Sequence, residues 1–134
     1  MAVGATQPST ALPDGPGWTL FALSVAGFGL CWWARIHMGG FWSGSVTLKP
    51  GHRVVDNGPF ALVRHPIYTG FILAALCMAV LRGTLVNFAG LGLIVLGFWL
   101  KARLEERFLK AQLGAQDYDD YAARTPMLIP RLWP

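Results

Sequence analysis

Hydrophobic positions along the chain collect into three long runs instead of short alternating patches. Gly15 to Ala34, Pro66 to Leu81 and Gly83 to Leu100 contain no Asp, Glu, Lys or Arg. A helix needs about 20 predominantly apolar residues to cross a bilayer, within about 17 to 25, so the first and third runs are long enough. The middle run has sixteen residues and reaches about 24 Å at about 1.5 Å per residue. It crosses only if Arg82 snorkels to the far interface or the bilayer thins locally. The pattern predicts an all-α membrane protein with about three transmembrane helices, near residues 16–36, 66–82 and 83–112. Runs two and three meet at Arg82-Gly83-Thr84, a connection so short that they should form a tight antiparallel hairpin. Beyond Leu100, the positions of Leu104, Phe108 and Ala111 keep one helical stripe, so the last helix should extend into the cytoplasm and stop near Gly114.

Composition agrees with lipid as the solvent. Hydrophobic residues make up 54% and charged residues 13%, against about 25% charged in soluble domains. The 134 residues suit one domain over 15–134, preceded by a Pro/Gly/Ser/Thr-rich leader over 1–14 that should be disordered. Net charge is +4, yet the basic residues follow a topology pattern and do not point to nucleic acid. Arg35, Lys49, Arg53 and Arg64 lie between runs one and two, and Lys101, Arg103, Arg107, Lys110, Arg124 and Arg131 follow run three. The positive-inside rule then places the N-terminus outside and both basic segments in the cytoplasm. Tryptophans Trp18, Trp32 and Trp33 mark the ends of the first run as interfacial anchors. Gly83, Gly90, Gly92 and Gly97 offer a small-residue surface for close helix packing. Cys31 and Cys77 fall inside apolar runs, where cysteine behaves as a small hydrophobe, and their spacing forms neither a disulfide framework nor a metal site.

Candidate chemistry gathers at the charged edges of the runs. Glu105 and Glu106 are the carboxylates beside the hydrocarbon boundary where the third run emerges. One reading is helix salt bridging, Glu106 to Lys110 and Lys101 to Glu105 at i, i+4; the other places them in a site next to the start of run two, where Glu105 approaches His65. Arg64 and His65 similarly read either as headgroup contacts or as the rim of an anion site, since Pro66 opens a helix whose first turn presents N–H groups. His65 is an adjustable donor, and Tyr68 lies on its helical face, where the ring could stack on a base or face a cation. An anion-binding helix end, an aromatic surface and a carboxylate together suit S-adenosylmethionine, among other ligands. A haem or quinone protein using His37, His52 or His65 fits poorly, because none of them lies inside a span facing another histidine.

Two separated stretches carry a resemblance. "HRVVDNGPFALVRHPIYTG" followed by "EERFLKAQLGAQDYDDYAARTPMLIP" resembles the isoprenylcysteine carboxyl methyltransferase and phospholipid methyltransferase superfamily, over roughly Trp42 to Pro130. Its members are integral membrane enzymes with a histidine-led loop motif ending in Arg-His-Pro-x-Tyr-x-Gly, a later Glu-Glu pair and a tyrosine-bearing tail. The resemblance implies S-adenosylmethionine as cofactor, held by His52, Arg53, Val54, Val55, Phe60, His65, Pro66, Ile67, Tyr68 and Glu105. It implies catalytic roles for Glu106 and Arg103, and no metal. Phe60 stands where the family usually has tyrosine, and Leu113-Gly114 where Phe-Gly is common. Lys101 holds the spacing of an arginine that contacts substrate in the prenylcysteine enzymes, leaving Arg103 as the nearest guanidinium. Those enzymes also have five or more spans.

The expected function is methyl transfer from S-adenosylmethionine to a membrane-associated or lipophilic acceptor, whether a carboxylate, an amine or another heteroatom, at the cytoplasmic interface. The expected partners are that lipophilic small-molecule or lipid substrate, membrane lipid and a second copy in a homo-oligomer. The alternative is a non-enzymatic small membrane subunit or an anionic-lipid-binding protein, whose basic loop would engage headgroups.

Overall fold

The structure is a computed structural model that describes residues 14–39 and 54–131. Within them the chain runs through α1 (Gly15–Met38), a short 3₁₀ turn (Gly58–Ala61), α2 (Pro66–Arg82), α3 (Leu85–Leu113) and α4 (Ala115–Arg124). There is no strand among the described residues.

Local signals set the helix ends. Asp14 caps α1, its carboxylate accepting from the Gly17 N–H at 3.0 Å, with Pro16 in the first turn where a missing N–H costs nothing. Between α2 and α3 two residues divide the work. Gly83 adopts the left-handed conformation, φ 62°, that ends α2, and Thr84 starts α3 by accepting from the Asn87 N–H at 3.3 Å. A connection of that size forces α2 and α3 back to back.

Length and exposure together define the environment of the helices. α1 and α3 are each long and apolar enough to cross a membrane, and α2 is a shorter apolar helix of 17 residues. The same helices leave their largest side chains uncovered, as at Leu85 (86% exposed), Leu93 (72%) and Trp32 (69%). In water such a surface would be strongly unfavourable, at about 25 cal/mol per Å²; facing hydrocarbon it costs nothing.

α1 packs most extensively on α2, through a seam that the sequence pattern did not single out. A Cβ built on Gly27 would stand 2.6 Å from the carbonyl oxygen of Gly70, and one on Gly70 would collide with the Gly27 carbonyl and with Cys31 Sγ. The two backbones therefore touch. Cys31 lies in this seam and donates its S–H to the Ile67 carbonyl at 3.2 Å, so it does more than fill space. Gly90, Gly92 and Gly97, expected to form the packing surface, meet nothing within 4 Å. α3 instead joins α2 near its polar end by aromatic rings, Phe98 stacking on Tyr68 at 4.7 Å and on Phe71 at 6.0 Å.

After Gly114, whose φ of 101° breaks the helix direction, α4 turns back with Tyr118 and Tyr121 buried. The following residues reach the start of α2: the N–H groups of Arg64 and His65 donate to the carbonyls of Pro126 and Met127, at 2.9 and 3.2 Å. The residues after α4 are thus bound to the protein itself.

Candidate functional site

The start of α2 and the end of α3 converge, and four side chains meet there. His65 is the N-cap of α2 and is 9% exposed. Its Nε2 lies 3.0 Å from Glu106 Oε1, and its Nδ1 lies 3.8 Å from Glu105 Oε2. Tyr68, one turn on, donates its hydroxyl to Glu105 Oε1 at 2.6 Å. The His65 and Tyr68 rings are stacked, 5.4 Å apart with 4° between their planes. Phe98 also stacks on Tyr68, so His65, Tyr68 and Phe98 form one aromatic group beside two carboxylates.

Cations balance the carboxylates. Arg64 reaches Glu106 Oε1 at 3.3 Å, and Lys101 reaches Glu105 Oε1 at 3.8 Å while standing 5.4 Å above the Tyr68 ring. Arg64 Nε is buried and finds no hydrogen-bond partner among the described residues. Glu106 therefore pairs across the helix interface with Arg64 and His65. Lys110, the partner that i, i+4 spacing suggested for it, is held by Asp119 of α4 at 2.9 Å. Burial pushes the pKa of the Tyr118 and Tyr121 hydroxyls well above the ordinary tyrosine value, with the Glu106 charge adding to the effect at both.

The anion site expected at the α2 N-terminus is narrower than the sequence suggests. The His65 N–H is taken by the Met127 carbonyl and Pro66 has none. Of the orphan first-turn donors, Ile67 and Tyr68 remain as N–H groups with no acceptor inside the helix. Pro66 itself is fully buried. Phe60 is buried, its carbonyl accepting from the Tyr121 hydroxyl at 2.7 Å, and its ring lies 6.3 Å from that of His37. Val54 and Val55 are half-buried residues without regular structure. His52 and Arg53 lie outside the described residues. Arg103 is not brought to the carboxylates: it is exposed and rests over Trp99 at 5.4 Å, on another face of α3. Sequence reasoning passed over Phe98, although it precedes Glu105 by seven residues, two helical turns. It also passed over the helix carrying Tyr118 and Tyr121, whose i, i+3 spacing was the available signal. Among the described residues no group of three or more His, Cys, Asp or Glu side chains is placed to hold a metal ion.

A profile of the isoprenylcysteine carboxyl methyltransferase family matches residues 20–111, from α1 through most of α3. The chain belongs to this family. Among similar proteins, methanethiol S-methyltransferase 2 of Bradyrhizobium diazoefficiens is 42% identical over 79 residues, 55% of this chain and 27% of that protein. The cobalt-zinc-cadmium resistance protein CzcN of Cupriavidus metallidurans is 32% identical over 88 residues, 65% of this chain and 40% of that one. Protein-S-isoprenylcysteine O-methyltransferase B of Arabidopsis thaliana is 30% identical over 86 residues, 63% and 43% respectively. The chain spans less than half the length of these curated relatives. Family membership and two apolar helices together describe an integral membrane protein.

Proposed function

We propose that this protein is a membrane methyltransferase that uses S-adenosylmethionine and a lipophilic acceptor. The observation that carries the reading is the meeting of His65 and Tyr68 with Glu105 and Glu106, in a chain of a family with methyltransferase-named members. The donor set suits that cofactor. Glu105 Oε1 accepts from Tyr68, and a carboxylate has about four acceptor sites, so capacity is left for ribose hydroxyls or an ammonium group. The Tyr68 and Phe98 rings offer a surface for adenine or for a sulfonium cation. When bound, S-adenosylmethionine supplies an electrophilic methyl group.

In this reading the protein contributes mainly position. Glu105, Tyr68 and the Ile67 and Tyr68 N–H groups orient the donor, with His65, Pro66, Phe60, Val54, Val55, His52 and Arg53 around it. Holding two reactants at near-attack distance is worth up to about 7 to 11 kcal/mol. An acceptor carboxylate is already ionised, whereas an amine acceptor needs a base, and the His65–Glu106 pair is placed to take that proton. Arg103, beside Trp99, would meet the negative end of an acceptor arriving from the bilayer side of α3. We place the N-terminus outside, α1, α2 and α3 across the bilayer, and the site at the cytoplasmic headgroup level, with a homo-oligomer as the proposed assembly.

The test is cofactor binding to the purified chain in detergent, followed by transfer of labelled methyl from S-adenosylmethionine into total membrane extract and identification of the product. Glu105→Gln should weaken binding at least about tenfold, the scale of one charge-assisted hydrogen bond. Unchanged affinity would remove Glu105 from the site. A wild-type chain that neither binds the cofactor nor labels any lipid would favour a non-enzymatic membrane subunit.

A further inference from the structure

The segment beginning at α4 lies beyond residues 20–111 that match the family, yet it makes the bonds that hold the His65 loop. The Tyr121 hydroxyl, fully inside the protein, donates to the Phe60 carbonyl at 2.7 Å. Pro126 and Met127 present their carbonyls to the N–H groups of Arg64 and His65. Thr69 donates its hydroxyl to the Leu128 carbonyl at 2.6 Å and also lies 3.1 Å from the His65 carbonyl. Arg124 pairs with Asp56 and stacks over the Tyr121 ring at 5.8 Å. Apart from the Arg124–Tyr121 contact within α4, these contacts fall on the stretch between residues 56 and 69. His65 itself has little freedom left except through this stretch, because its ring is flanked by Tyr68 on α2 and by Glu105 and Glu106 on α3, with Arg64 sharing Glu106.

We infer that the C-terminal segment is a clasp that sets the His65 ring against Glu106, and that Tyr121 is its positioning residue. Tyr121 touches neither carboxylate by a hydrogen bond; it acts through the Phe60 carbonyl at the head of the loop. The clasp converts a short 3₁₀ turn, which makes few bonds of its own, into a fixed support for the α2 N-cap. Its consequence for cofactor binding rests on the methyl-transfer reading, while its effect on His65 does not.

The experiment uses the full chain in detergent with Tyr121→Phe, which keeps the buried ring and removes one hydroxyl. Hydrogen–deuterium exchange should accelerate on the order of tenfold in residues 60–69, the size of one buried hydrogen bond lost, with the middle of α1 and α2 unchanged. The His65 ring resonances, assigned against His65→Gln, should move. Arg124→Gln should produce the same pattern more weakly and serves if Tyr121→Phe fails to fold. Unmoved His65 resonances, or exchange that rises equally throughout the protein, would overturn the clasp. Absence of S-adenosylmethionine binding by the wild type would instead defeat the methyl-transfer reading, and the exchange and resonance measurements would still decide the clasp. If the wild type binds and both readings hold, Tyr121→Phe should also weaken cofactor affinity severalfold.

Discussion

Glu106 and Glu105 are neighbours in sequence but do different physical work. Glu106 is 13% exposed and shares one oxygen between Arg64 and His65, so it neutralises a cation whose Nε already lacks a hydrogen-bond partner among the described residues. Glu106→Gln should therefore destabilise the protein by about 2 kcal/mol, below the full cost of breaking a deeply buried pair because some exposure remains. A denaturation midpoint measured in detergent checks this. Glu105 is more open, at 23% exposed, and receives the Tyr68 hydroxyl. Tyr68→Phe should cost Glu105 its orientation more than the protein its stability, because the Phe98 and His65 ring contacts survive. The expected outcome is weaker cofactor binding by about five- to tenfold, with a thermal midpoint close to wild type. The two glutamates could be picked out in the sequence by their place at the hydrocarbon edge. The neighbours of Glu105, Lys101 and His65, were readable too; those of Glu106 were not, since i, i+4 geometry proposed Lys110 and said nothing of Arg64, 42 residues earlier.

At the level of helices, the Gly27–Gly70 contact and α4 make opposite demands. The α1–α2 seam depends on the absence of side chains, so Gly70→Ala should push the helices apart and cost about 1 to 3 kcal/mol, visible as a lowered melting temperature. Gly90→Ala, in open space, should instead be neutral or slightly stabilising, because alanine is the better helix former. α4 depends on two buried neutral hydroxyls. Tyr118 and Tyr121 hold their protons to higher pH in the folded state than the usual value near 10. The folded state then binds more protons than the unfolded state above that pH. The part of the stability that these two hydroxyls contribute should be constant below pH about 10 and fall as pH rises further. Alkaline titration followed by exchange of residues 115–128 should show this segment loosening first. Helix boundaries were readable from local chemistry at Pro66, Gly83-Thr84 and Gly114. α4 was not read as a helix, because ten residues with three aspartates among them look like a solvated tail until the burial of two tyrosines is known.

Across the molecule, the bonds from residues 126–128 to residues 64–69 put the α1–α2 connection and the C-terminal segment at the same end. The α2–α3 turn lies at the other end of both helices. In a chain with Cys31 and Cys77 replaced, single cysteines at Ala61 and Gln116 should react with an impermeant maleimide from the same side of sealed vesicles. A cysteine at Thr84 should react from the opposite side, and labelling of all three from one side would contradict a crossing by α3. Sequence alone was enough for the helical class, the apolar runs, their sharp turn and the Lys101–Glu105 pair, because all of these depend on spacing within about twenty residues and on the high cost of charge in hydrocarbon. The α1–α2 seam, the pairing of Arg64 and His65 with Glu106, and the return of the C-terminal segment onto α2 needed the folded chain. Each joins residues from different helices or loops, and such contacts arise from how closely two backbones can approach and which donors remain unpaired once they do.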